Sequence, residues 1–102
     1  MIRGTTPTHI FNLPIDTNLI SSLIITYKQN DEIVLTKELD ACSLGERSIS
    51  LKLTQEESLL FDCTGNGYAK VQIKVLTQSG DVLSSRVSFV KVEECLNDEV
   101  LE

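Results

Sequence analysis

Residues 69–92, AKVQIKVLTQSGDVLSSRVSFVKV, decide how this chain is read. Over the first limb Ala69, Val71, Ile73 and Val75 fall on one side, and Lys70, Gln72 and Lys74 on the other. A period of two belongs to a strand with one dry face, not to a helix. The segment Thr77-Gln78-Ser79-Gly80-Asp81 must then reverse the chain, and Gly80 supplies the left-handed residue that a longer hairpin loop with a bulge requires. No Gly-rich run leads into a helix here and no Lys-Ser/Thr follows, so the turn is a hairpin tip and not a phosphate loop. The second limb is less regular. Leu83, Val87 and Phe89 alternate, then Val90 and Val92 take over the apolar phase, which predicts a bulge near Phe89–Val90.

The same period recurs upstream. In HIFNLP, Phe11 and Leu13 share a face and Pro14 ends the ladder, as suits an edge strand. LIITYK alternates Leu23, Ile25 and Tyr27 with Ile24, Thr26 and Lys28, and KQNDE then reads as a hairpin turn. EIVLTKEL places Ile33, Leu35 and Leu39 together, against Val34, Thr36 and Glu38. DACSLGE reads as a loop, with Gly45 available for positive φ. SISLKL turns Ile49, Leu51 and Leu53 inward and Ser48, Ser50 and Lys52 outward. One segment breaks the rule. In LTQEESLLF, residues 53–61, Thr54 and Glu57 have capping-box spacing, which predicts one or two helical turns that drop Leu60 and Phe61 into the core.

Six or seven short strands with no long amphipathic helix predict an all-β fold: an antiparallel immunoglobulin-like β-sandwich with one short helical turn near residues 54–61. A sandwich is preferred over a barrel because both termini read as edge elements, which charge or pairing must protect. At 102 residues the chain is one domain. The sandwich is assigned to residues 1–92 and an acidic C-terminal tail to 93–102, whose CLNDEVLE end is equally compatible with a helical turn and with irregular chain. Five carboxylates against Lys91 over residues 91–102 carry most of the net charge of −6.

Composition argues against several classes of function. Clustered Lys and Arg are lacking and aromatics are few, so no nucleic-acid partner is expected. No apolar run approaches a membrane span, so no membrane partner is expected either. MIRGTTPTHIF has no apolar export region, and Cys42, Cys63 and Cys95 are odd in number; both predict a cytoplasmic site of synthesis with reduced thiols. His9 is the one imidazole, the cysteines lack zinc spacing, and the adjacent pairs Asp31-Glu32, Glu56-Glu57 and Glu93-Glu94 would face opposite ways on a strand. No catalytic, cofactor-binding or metal residue is assigned, and the chain is read as a non-enzyme. Two surfaces stand out instead. Lys70, Gln72 and Lys74, with Ser84, Arg86 and Ser88 opposite, form a flat polar face open to solvent or to docking. Ile24, Val34 and Leu76 sit off the core phase and form either an apolar patch or a second packed face.

The stretch LTQEESLLFDCTGNGYAKVQIKVLTQSGDVLSSRVSFVKV, with RGTTPTHIFNLPIDTNLI before it, resembles small immunoglobulin-like proteins of phage and prophage tail modules. It is also loosely similar to the N-terminal domain of phage baseplate upper proteins, at Leu53, Thr54 and Glu57, then Val71, Ile73, Gly80 and Phe89. The resemblance implies a structural or assembly module, a tail or baseplate accessory protein that works through sheet edges and loops and enters a virion. Baseplate upper proteins are far longer than this chain, so a receptor-binding role does not carry over. The expected partner is a protein, or a second copy paired through an edge strand, in a homo-oligomer or larger assembly. The alternative is a small acidic regulatory or inhibitory protein whose tail occupies a basic partner.

Overall fold

The computed structural model describes residues 1–64 and 67–102. Its strands are β1 (Thr8–Asn12), β2 (Ile20–Gln29), β3 (Glu32–Glu38), β4 (Ser43–Leu44), β5 (Ser48–Lys52), β6 (Tyr68–Thr77), β7 (Val82–Ser84) and β8 (Ser88–Lys91), and its one α-helix is α1 (Gln55–Leu59). They form two antiparallel sheets, β1-β5-β4 and β3-β2-β6-β7, with β8 joining β6 beyond β7. The all-β sandwich is therefore as expected, with eight strands in place of six or seven. The count rises because the last run divides into β7 and β8 and because β4, two residues long, lies in the stretch read as a loop. Its Ser43 and Leu44 pair with Ser50 and Ile49.

The core is made by the alternating residues. Leu23, Ile25 and Tyr27 of β2 lie beside Val75, Ile73 and Val71 of β6, and Ile49 and Leu51 of β5 close over them from the other sheet. Both hairpin turns follow from local chemistry. Asn30 and Asp31 take φ of 54° and 63°, the type I′ geometry that matches strand twist. Gly80, at φ 92°, follows a turn closed by its N–H donating to Thr77 O at 3.0 Å. Gly45 differs from expectation: it is not left-handed, and its lack of a side chain matters because a Cβ there would collide with the Ser48 hydroxyl.

Two strands depart from simple alternation. β3 carries a bulge, since Tyr27 faces Leu35 while Lys28 faces Ile33, leaving Val34 as the added residue. Val34 and Leu35 both pack on the core, and Ile33 is left exposed. The second irregularity is not at Phe89–Val90. It lies at Ser85–Val87, where β6 changes partner from β7 to β8 and the register moves by one residue. There the Ser85 hydroxyl accepts from the Ile73 N–H (3.0 Å), in place of a backbone carbonyl, while Gln72 Nε2 donates to Ser85 O (2.9 Å). Leu83, Val87 and Phe89 are consequently exposed, whereas Val90 and Val92 pack inward.

Helix α1 is capped as its sequence predicts. Thr54 Oγ1 accepts from the Glu57 N–H at 3.1 Å, and Glu57 accepts from the Thr54 N–H at 2.9 Å. Glu57 also pairs with Lys37, which projects from the core side of β3. Burial alone would raise the Glu57 carboxyl, but Lys37 and the Thr54 N–H outweigh it and hold the carboxyl below its ordinary range. The plug is Phe61 and not Leu60, the residue expected to lead it. Phe61 is 1% exposed and meets Tyr27 edge-on at 5.5 Å, while Leu60 is 57% exposed. The reason is geometric: Leu60 ends the helix on its solvent side, and the chain turns inward only at the next residue. Phe61→Ala is expected to cost about 3–5 kcal/mol and Leu60→Ala less than about 0.5 kcal/mol, read by denaturant unfolding.

Candidate functional site

Among the described residues strand β1 is paired on one side only. Leu13 N–H donates to Arg47 O (2.8 Å), and Leu53 N–H to Pro7 O (2.9 Å). In an antiparallel ladder these bonds alternate, so His9 and Phe11 also bond to β5. The N–H and C=O groups of Thr8, Ile10 and Asn12 then point away from it, along a bare edge.

Across from that edge lie β7 and β8. Register sets Leu83 opposite Val75 and Ser88 opposite Val71, so both face the inside of the sandwich. Leu83 is nevertheless 41% exposed. The result is a groove of about 300 Å³ between the sheets. Phe11, Leu13 and Leu83 form its apolar walls, the β6 residues Val71, Ile73 and Val75 its floor, and Ser84 and Ser88 its rim.

The strand order explains why the groove is there. An immunoglobulin-type sandwich sets A-B-E-D against C-F-G. In chain order β1, β5 and β4 take the places of B, E and D, and β3, β2, β6 and β7–β8 those of C′, C, F and G. The open flank beside β1 is where strand A lies in that pattern. Residues before β1 cover only its far end, where Ile2 bridges Glu93 in parallel and Arg3 N–H donates to Glu93 O at 3.1 Å.

The other conspicuous polar groups serve the fold. His9 Nδ1 lies 2.6 Å from the Tyr27 hydroxyl behind β1, and burial lowers the imidazole's affinity for a proton. The Tyr27 phenol is raised by burial and by the neighbouring Cys42 and Glu57. Cys42 Sγ faces Glu38 O and Cys95 Sγ faces Asn97 O. Among the described residues no three His, Cys, Asp or Glu side chains converge as a metal site, and no helix is long and apolar enough to cross a membrane.

Two residues that sequence reading passed over organise the neighbouring end of the sandwich. Gln29 is nearly buried and clamps the Asp62 backbone from both sides, at 2.5 and 2.7 Å. Arg3 reaches Phe61 O and Leu59 O at 2.6 and 3.1 Å, and Asp98 of the tail at 3.3 Å. Of the polar face expected at Lys70, Gln72 and Lys74, Ser84 joins it opposite Lys74, but Ser88 turns inward and Phe89 stands opposite Lys70 instead. Ile24 and Leu76 remain on that outer face; Val34 leaves it at the bulge.

Comparison with known protein families, characterised sequences and solved structures returned no match. His9 sits directly behind the open edge, so its protonation reports on that flank. A folded-state pKa lowered from 6.5 means that the unfolded chain takes up the proton first, and stability falls as pH drops below 6.5. The melting temperature is expected to decline from pH 6.5 towards about pH 5, with a shallower decline in His9→Gln, as measured by calorimetry.

Proposed function

We propose that this chain is a non-enzymatic assembly module that accepts an extended segment of a partner protein along the open flank beside β1. The observation that carries this reading is Leu83, an inward-facing apolar side chain left 41% exposed between two unpaired strand edges. Exposed Ile10 borders the same groove. A bare edge next to apolar surface invites strand pairing, and proteins that do not use such an edge protect it with charge or cover. A segment laid there pairs its backbone with Thr8, Ile10 and Asn12 and lowers every second side chain towards Leu83 and Ile73. Backbone pairing supplies affinity, and the shape of the groove supplies selectivity for alternating apolar residues. The resemblance to phage and prophage tail modules supplies the setting: a small accessory subunit joined to its neighbours by added strands.

Selection from a displayed library of random linear peptides tests the reading. Retained peptides are expected to carry apolar residues at alternate positions. They should bind Ile10→Pro at least about tenfold more weakly, because that change removes an outward N–H that β5 does not use. Peptides without alternation, or indifferent to Ile10→Pro, would contradict the proposal. Circular dichroism of the variant verifies that its own ladder survives.

A further inference from the structure

The outer face of the large sheet gathers four lysines of a chain that is acidic as a whole. Register sets Lys28, Lys70 and Phe89 in one row across β2, β6 and β8, and Ile24, Lys74 and Ser84 in another across β2, β6 and β7. Lys91 lies on the same face, opposite Tyr68. Among the described residues the carboxylate in these rows is Glu38, at the β3 edge, while Asp31 borders Lys28, Lys70 and Phe89 at the β2–β3 turn and Asp40 borders Lys74. Lys28, Lys70 and Lys74 have no ion pair among the described residues, and Lys91 meets its own Glu93 only at 4.0 Å. Between the lysines, Phe89 is 64% exposed, with Val82 and Leu76 also open to solvent.

The C-terminal segment is the complement of this face. Residues 93–102 hold five carboxylates, and between them Leu96 and Leu101 are 97% and 74% exposed. Apart from the Lys91–Glu93 contact, the ties of the tail lie elsewhere on its own chain. Arg3 holds Asp98 at 3.3 Å, and Gln55 of α1 exchanges two hydrogen bonds with Leu101, at 2.8 and 2.9 Å. Because α1 meets Lys37 on the core side of β3, these ties carry the tail to the helix end, away from the outer face. Glu94, Glu99, Leu96 and Leu101 stay exposed.

We infer that the lysine face of one copy receives the acidic 93–102 segment of a second copy. Lys28, Lys70 and Lys74 meet its carboxylates, while Phe89 and Val82 meet Leu96 and Leu101. The two surfaces differ, so the contact is head-to-tail: each added copy leaves a free face and a free tail, and growth continues as a ring or filament. This contact uses neither β1 nor the groove, and is independent of strand acceptance there.

Sedimentation velocity on the full chain tests it, over a concentration series in about 20 mM and about 500 mM salt. The wild type is expected to form species beyond the monomer at low salt and to dissociate at high salt. Lys70→Glu/Lys74→Glu is expected to be monomeric, and so is Glu94→Lys/Glu99→Lys. An equimolar mixture of these two variants should associate, because the intact tail of the first fits the intact face of the second, and that recovery shows that both are folded. A wild type that is monomeric throughout the low-salt series overturns the inference, as does a mixture that fails to associate while both variants keep the wild-type circular dichroism spectrum. Binding of a labelled single-stranded oligonucleotide by the same lysines, without self-association, also overturns it and makes the face a nucleic-acid surface. Ile10→Pro is expected to associate like the wild type, which separates this contact from that at the β1 flank.

Discussion

The structure depends on the pairing of β2 with β6. These two ten-residue strands set Leu23, Ile25 and Tyr27 against Val75, Ile73 and Val71 on the inner face. Burying an aliphatic side chain of this size contributes about 1.5–3 kcal/mol, and no other pair of strands brings so many such residues together. Tyr27 then fixes the layers relative to one another. Its ring makes a T-shaped contact with Phe61 and its hydroxyl meets His9 of the opposite sheet. A slip of one residue between β2 and β6 would turn this whole row to solvent, so register at the centre is not negotiable.

Tolerance begins one strand further out. The outer edge of β6 is long enough for two short strands, and the chain fills it with β7 and β8 separated by a one-residue shift at Ser85–Val87. The shift costs little because Ser85 and Gln72 satisfy the backbone groups that the departing strand leaves. It does, however, keep Leu83 at the margin of the core, opposite a β1 whose outer edge is bare. The proposed strand-accepting groove is therefore the product of two local events, a strand that changes register and a flank without strand A, and no dedicated pocket residues are needed. The lysine face arises differently, from the solvent phase of the central alternation itself.

Legibility in the sequence followed the strength of the local signal. Where one face is buried and the other wet, as in Ser48–Lys52 and Tyr68–Thr77, the inward residues could be read directly. The capping box at Thr54–Glu57 was equally plain, since it depends on two side chains three residues apart. Reading failed where tertiary packing chose between two apolar phases. In Ile33-Val34-Leu35 and in Val82–Phe89 hydrophobic residues occupy both phases, and only the neighbouring strand decides which are inward. The groove was illegible for a related reason: a free edge depends on which strands do not meet, and a linear pattern does not record that. Arg3 and Gln29 escaped notice because their partners are backbone carbonyls and amides at residues 59–62, to which composition is blind.

Residue-resolved amide hydrogen exchange on the isolated chain tests the open β1 edge most directly. A two-residue period is expected, with the N–H groups of His9 and Phe11 protected by β5 and that of Leu13 by Arg47, and those of Thr8, Ile10 and Asn12 exchanging near the rate of unstructured peptide. Uniform protection of all six amides would mean that something already occupies the flank, and would contradict the reading of β1 as an available edge.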